Sequence, residues 1–205
     1  MFKNASMIKQ LPLDIRLNEE ATFAEFCWNG NELLQTQLDS VLSGKSDLQL
    51  HIWGNVGSGK SHLLQACCQY VAEARKSTVY LPLALLKDTS PEILEGFDNY
   101  FLICLDDIDL IAQNKAWEEA LFHLYNRLRD NCKTILLTTS KVIPQHLNLG
   151  LPDLRSRLAW GLVLHLNELT DEDKVIALQT LAKKRGFNLS TLVCQYLLTR
   201  YTRKK

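Results

Sequence analysis

The chain has 205 residues, 46% of them hydrophobic and 22% charged, with Lys+Arg and Asp+Glu both at 23 and a formal net charge of zero. These are globular proportions with room for a sizeable core, and they exclude a disordered tail or a coiled-coil rod. The even balance argues against a protein held on DNA by bulk electrostatics, which needs a basic surface, though a local basic patch is compatible with it.

The N-terminal stretch Met1–Leu17 alternates apolar residues with Lys3, Lys9 and Arg16 and lacks the apolar run and cleavage site of a signal peptide. Residues 1–21 show weak periodicity and are expected to form a mobile arm. Asn31–Leu42 places Leu33, Leu34, Leu38, Val41 and Leu42 at helical spacing, and Ser43-Gly44-Lys45-Ser46 ends that helix. Strand and helix patterns then alternate. Leu48–Trp53 reads as a strand, Lys60–Arg75 as a helix and Thr78–Leu83 as a strand. Phe101–Leu105 is a continuous apolar run, as in a strand buried on both faces. Trp117, Leu121, Leu124, Tyr125 and Leu128 mark one helix face, and Thr134–Thr138 and Gly161–Leu166 are the fourth and fifth strands. Strands separated by helices imply right-handed crossovers and a parallel sheet covered by helices, an α/β fold spanning residues 22–167. From Thr170, an N-cap followed by Asp171, Glu172 and Asp173, the pattern is helical to the end, giving a small helical piece over 168–205. The basic cluster Lys183-Lys184-Arg185 reads as a solvated face at a helix C-terminus.

No stretch of about 18 apolar residues is present to span a membrane. The six cysteines (Cys27, Cys67, Cys68, Cys104, Cys132, Cys194) form no C-x-x-C pair and no zinc spacing. Most lie in apolar segments as expected of buried, reduced thiols, and a cytoplasmic location follows.

The strongest motif is Gly54-Asn55-Val56-Gly57-Ser58-Gly59-Lys60-Ser61, a full G-x-x-x-x-G-K-[ST] between a predicted strand and a predicted helix. Its glycines let successive backbone N–H groups face phosphate oxygens at a helix N-terminus, so ADP or ATP is the expected ligand. Lys60 is expected to reach the β/γ-phosphates, Ser61 to hold Mg²⁺, and the adjoining His62 to border the nucleotide. Asp106 and Asp107 close the apolar run at the C-terminal end of a parallel strand, where such sheets bind ligands. Asp106 is expected at Mg²⁺ and Asp107 as a base orienting an attacking water, although Asp is one methylene shorter than the usual Glu. Arg155-Ser156-Arg157 reads either as a surface pair or as an arginine finger offered to a neighbouring subunit's nucleotide, and spacing leaves the two open.

The phosphate loop, Leu105-Asp106-Asp107-Ile108-Asp109 and Ser156-Arg157-Leu158-Ala159-Trp160-Gly161, in that order, resemble the AAA+ module of the DnaA family of bacterial replication proteins. The resemblance is closer to the family's regulators than to its initiators. It rests on Leu124-Tyr125-Asn126-Arg127, Leu147-Asn148-Leu149-Gly150-Leu151-Pro152-Asp153-Leu154, Asp171-Glu172-Asp173-Lys174 and Arg185-Gly186-Phe187, and it covers nearly the whole chain. It implies a five-stranded AAA+ sheet with a helical lid, and partnership with the DnaA initiator and the replication sliding clamp, the beta subunit of DNA polymerase III. DNA is then met mainly through the clamp. Arg157 is implied as the finger completing DnaA's ATP site. Gln10-Leu11-Pro12-Leu13 resembles the regulators' clamp-binding peptide, in which Leu11 and Leu13 dock in an apolar cleft and Gln10 makes hydrogen bonds. Arg203 falls where the family's second sensor arginine lies.

Two departures accompany the resemblance. Lys141 replaces the Asp usual in the family's γ-phosphate sensor, which makes weak intrinsic hydrolysis the expectation, with Thr139 or Ser140 as its substitute. The chain ends at Arg203-Lys204-Lys205, so a partial, truncated lid is expected. Self-association is left open. The alternatives weighed are a DNA-binding initiator, for which no residues follow the lid, a helicase loader, whose N-terminal segment is ordinarily larger than this arm, and a self-sufficient ATPase.

Overall fold

The computed structural model describes residues 17–18, 20–45 and 47–202. Five parallel strands form its frame: β1 (Gln49–Trp53), β2 (Thr78–Pro82), β3 (Leu102–Asp106), β4 (Ile135–Ser140) and β5 (Leu162–His165), in the order β2-β3-β4-β1-β5. The register is continuous, with Cys104 beside Leu137, His51 beside Thr138 and Leu50 beside Leu162. β3 and β4 are buried at every residue, although the second half of β4 is Thr138-Thr139-Ser140, whereas the edge strands β2 and β5 are largely half-buried.

The sheet separates two cores. On one face Leu50, Ile52, Leu102, Cys104 and Leu137 pack against α1 (Glu32–Leu42) and α2 (Lys60–Glu73). On the other, Ile103, Leu105 and Leu136 meet α4 (Lys115–Asn131) and α5 (Pro152–Leu158), with Trp117, Leu121, Leu124 and Tyr125 as the α4 stripe. Each fully buried aliphatic side chain contributes about 1.5–3 kcal/mol. A short helix, α3 (Leu83–Leu86), follows β2. The lid consists of α6 (Asp171–Lys184), capped by Thr170 as expected, and α7 (Thr191–Thr202). Among the described residues no helix is long and apolar enough to cross a membrane.

Several expectations change. β3 extends through Asp106 and β4 through Ser140, so both polar residues are strand residues rather than the first loop residues. Leu17, Asn18 and Ala21, assigned to a mobile arm, are packed: Leu17 joins the α2-side core and Ala21 is buried. The backbone N–H of Asn18 donates to Gln65, and Gln69 donates to the Asn18 carbonyl. Lys183-Lys184-Arg185 is only partly a solvated face, because Lys184 pairs with Glu25 at 3.4 Å and Arg185 pairs with Glu20, tying the lid to the segment before α1. Cys67, Cys68, Cys104 and Cys194 are buried free thiols, but Cys132 is exposed and Cys27 half-buried.

Candidate functional site

The phosphate loop leaves the C-terminal end of β1 and enters α2, with Gly57 at φ +84° and Gly59 at φ +103°, conformations that L side chains rarely adopt. Gly54 has a different constraint: a Cβ there would meet the Leu166 carbonyl oxygen at 2.6 Å. Asn55, Val56 and Gly57 are exposed, while Ser58 and Lys60 are buried. Lys60 is 6% exposed, and its ammonium donates to the carbonyls of Gly54 (2.7 Å) and Asn55 (2.9 Å). Burial lowers its pKa, opposed by the charges of Asp107, Asp106 and Asp109. The hydroxyl of Ser58 is buried without a partner. A buried ammonium held by carbonyls alone, beside a loop of open glycines and an unpartnered hydroxyl, is a donor set that fits an anionic phosphate group.

Asp106 ends β3 with both carboxylate oxygens occupied. The Tyr80 hydroxyl donates to one at 2.7 Å and the Thr139 hydroxyl to the other at 2.5 Å. Burial, then the Asp106 charge, raises the Tyr80 pKa. Ser61 in the first turn of α2 and Asp106 at the end of β3 are hard oxygen donors of the kind that suit Mg²⁺. Asp107 adopts a left-handed φ of +58°, and its backbone N–H donates to Thr139 at 2.8 Å. Burial raises its carboxyl pKa, helped by Asp106 and Asp109 and opposed by Lys60 and Lys141.

Thr139 is thus the residue of β4 that touches both acids. Lys141 does not: its ammonium pairs with Asp109 at 3.1 Å, and its N–H donates to the same carboxylate. Beneath them His51 bridges the Thr138 and Ser140 hydroxyls, 2.8 Å from each. Burial pushes its pKa down to about 4, so the imidazole is neutral and locks β1 to β4 below the site.

A cleft of about 270 Å³ adjoins the loop. Gly57, Ser58, Gly59 and His62 line one side, Glu25, Phe26 and Asn31 a second, and Asn167, Lys174 and Ala177 the third. His62 lies edge-on to Phe26, with centroids 5.6 Å apart, and Glu25 carries a buried carboxylate oxygen without a partner. Sequence reading missed Glu25, Phe26, Asn31 and Lys174, because no motif links segments more than 130 residues apart. A weak signal was available in the aromatic-rich run Phe23–Trp28.

Arg157 is elsewhere. α5 leads through Trp160-Gly161 into the start of β5, beside Leu50 near the start of β1. A Cβ on Gly161 would collide with the Gln49 carbonyl. The phosphate loop follows the far end of β1, about 13 Å away at the rise of a parallel strand. The Arg157 guanidinium lies over the Trp160 ring, 4.5 Å from its centroid. Arg155 is turned away, donating to the Leu149 carbonyl at 2.7 Å. The structure therefore gathers Gly54–His62, Asp106 and Asp107 at one end and separates Arg157 from them. Gln10, Leu11, Leu13 and Arg203 lie outside the described residues.

Comparison with known proteins agrees with this architecture. Residues 17–165 match the bacterial DnaA ATPase domain, and residues 171–205 match the Hda lid domain. The structure is similar to domain III of the Thermotoga maritima replication initiation protein DnaA, with 26% identity and a TM-score of 0.76 over 89% of this chain and 81% of that one. AMPPCP-bound DnaA from Aquifex aeolicus gives 26% identity and a TM-score of 0.73 over 89% of this chain and 61% of that one. A DNA replication initiation factor gives 26% identity and a TM-score of 0.76, again over 89% of this chain, which spans only 60% of that protein's length.

Proposed function

We propose, for a chain that belongs to the bacterial DnaA ATPase family and carries an Hda-type lid, the role of a regulator of replication initiation. In this reading the chain binds ADP or ATP in its own phosphate loop and acts in the cytoplasm on DnaA, promoting hydrolysis of DnaA-bound ATP while held on the DNA-loaded sliding clamp. The carrying observation is the position of Arg157 at the end of the sheet opposite its own phosphate loop. A guanidinium there is out of reach of the chain's own nucleotide and available only to a neighbour's.

Each residue has a task in this scheme. Backbone N–H groups of Gly57–Lys60 and the Lys60 ammonium hold phosphate oxygens, exchanging the carbonyls of Gly54 and Asn55 for a stronger, charge-assisted contact. Ser61 and Asp106 would hold Mg²⁺, which when bound adds positive charge beside the phosphates. Tyr80 and Thr139 fix the Asp106 carboxylate, and Asp107 takes a proton from water if the chain hydrolyses ATP itself. The Lys141–Asp109 pair leaves the sensor position without a group dedicated to the γ-phosphate, which supports weak intrinsic turnover. Arg157 meets charge building on the phosphate oxygens of DnaA's ATP. Clamp retention rests on Gln10, Leu11 and Leu13 of the sequence, and Arg203 is assigned to the lid side of the nucleotide on the same footing.

The test is turnover of labelled ATP preloaded on DnaA, with clamp loaded on DNA. Arg157→Ala should abolish a stimulation that arginine fingers supply at about 10³–10⁵-fold, and Arg157→Lys should rescue poorly because an ammonium lacks the planar fork. Arg155→Ala should stay near wild type. Undiminished stimulation by Arg157→Ala defeats this reading.

A further inference from the structure

Arg157 is held by rings and, among the described residues, not by a carboxylate, whereas Arg127 pairs with Asp98, Arg129 with Asp130 and Arg185 with Glu20. Its neighbours are rings: Trp160 at 4.5 Å from the guanidinium carbon and Phe122 at 5.9 Å. Trp160 is 68% exposed, so core burial does not explain an indole at this position. Nor is Trp160 loosely placed. Its backbone N–H donates to the Arg157 carbonyl at 3.1 Å, and Gly161 behind it is pressed against Gln49 too closely for any side chain. The backbone that carries the ring is thereby fixed beside the first residue of β1.

We propose that Trp160 is the positioning residue of Arg157, its indole face holding the guanidinium extended and un-neutralised for a partner's phosphate. The inference rests on the trans-arginine reading above and adds what orients that arginine. A carboxylate would also order the side chain, but it would occupy the N–H donors and cancel the charge that the phosphate needs. The π face attracts the cation through its quadrupole while the in-plane N–H groups stay free for bidentate contact. Arg155 illustrates the alternative, committed to a carbonyl, while Arg129 reaches the same indole at 5.6 Å but is also paired with Asp130, so of the two arginines on the ring only Arg157 keeps its charge uncancelled.

Two measurements on the full chain test this. In the absence of any partner, ¹⁵N-detected arginine spectra should show the Arg157 Nε–H resonance moving to the position of free arginine in Trp160→Leu and staying near wild type in Trp160→Phe. In the DnaA turnover assay, Trp160→Leu should lower the saturating rate about tenfold with its half-saturating concentration within about twofold of wild type, and Trp160→Phe should recover most of the loss. Melting temperatures should match, since the ring is largely exposed. An unmoved resonance in Trp160→Leu overturns the inference. So does a normal saturating rate reached only at higher concentration, the signature of a docking contact. Arg157→Ala runs alongside: if it stimulates like wild type, the trans-arginine reading itself falls, and any Trp160→Leu defect is then assigned to docking.

Discussion

At the C-terminal end of the sheet Lys60 is sunk beneath the loop, its ammonium turned onto two carbonyls with Asp106, Asp107 and Asp109 close by. At the N-terminal end Arg157 lies on an exposed indole with no carboxylate partner among the described residues. Both are cations suited to phosphate, yet one sits inside a cradle and the other on a projection. The contrast teaches that a single sheet can hold two cations at opposite ends in opposite states, one buried on carbonyls and one exposed on a ring, so that under the proposed function the two tasks share no residue.

The sharpest way to break the comparison is to cross the two cations. Lys60→Ala should weaken ADP or ATP binding at least tenfold, from the loss of a charge-assisted contact of about 1.5–3 kcal/mol, and should erase nucleotide-dependent thermal stabilisation. Arg157→Ala should leave both unchanged while removing stimulation of DnaA. A nucleotide-binding defect in Arg157→Ala, read by equilibrium binding, would merge the two ends.

The next effect belongs to the polar layer under the cradle. Folded His51 resists protonation to about pH 4, whereas an unfolded histidine titrates near 6.5. Between those values the unfolded chain binds the extra proton, so stability is fully present above pH 6.5 and falls as pH drops toward 4, by about 3 kcal/mol. Denaturant unfolding across that window should show this slope, and His51→Gln should flatten it.

A smaller, symmetric pair sharpens the comparison. Gly54→Ala and Gly161→Ala each push a methyl into a backbone carbonyl, of Leu166 and Gln49 respectively, and each should cost about 1–3 kcal/mol of stability. Only Gly54→Ala should also impair nucleotide binding, and only Gly161→Ala should disturb the Arg157 resonance. The smallest effect is expected from Arg185→Ala, whose exposed pairing with Glu20 should leave global melting unchanged while speeding hydrogen exchange in α6.

The sequence made one end legible and the other only partly so. Gly54–Ser61 could be read because a phosphate loop is contiguous, and its glycines and lysine are constrained by one local geometry. Asp106 followed from the end of an apolar run. The contacts of Thr139 could not be read from spacing: they follow from β4 continuing through Ser140, which brings the Thr139 hydroxyl to Asp106 and to the backbone of Asp107. Tyr80, Phe26 and Lys174 reach the site from three separate elements, and no spacing rule joins them. Arg157 was visible as a residue, but its separation from the loop follows from the strand order, in which α5 enters the sheet beside the start of β1 rather than its end.

The ties between Glu20, Glu25 and Asn29 on one side and Arg185, Lys184 and Asp173 on the other have a consequence for how the cleft comes apart. Its floor is the phosphate loop, rooted in the fully buried centre of the sheet, while its roof is a lid buckled to the chain's early segment by surface contacts. Salt weakens such contacts over the range in which the Debye length shrinks from about 10 Å to about 3 Å, and it barely touches a packed sheet. Raising ionic strength should therefore unfasten the roof first, so that a bound ligand loses the wall formed by Lys174 and Ala177 while its phosphates are still held below.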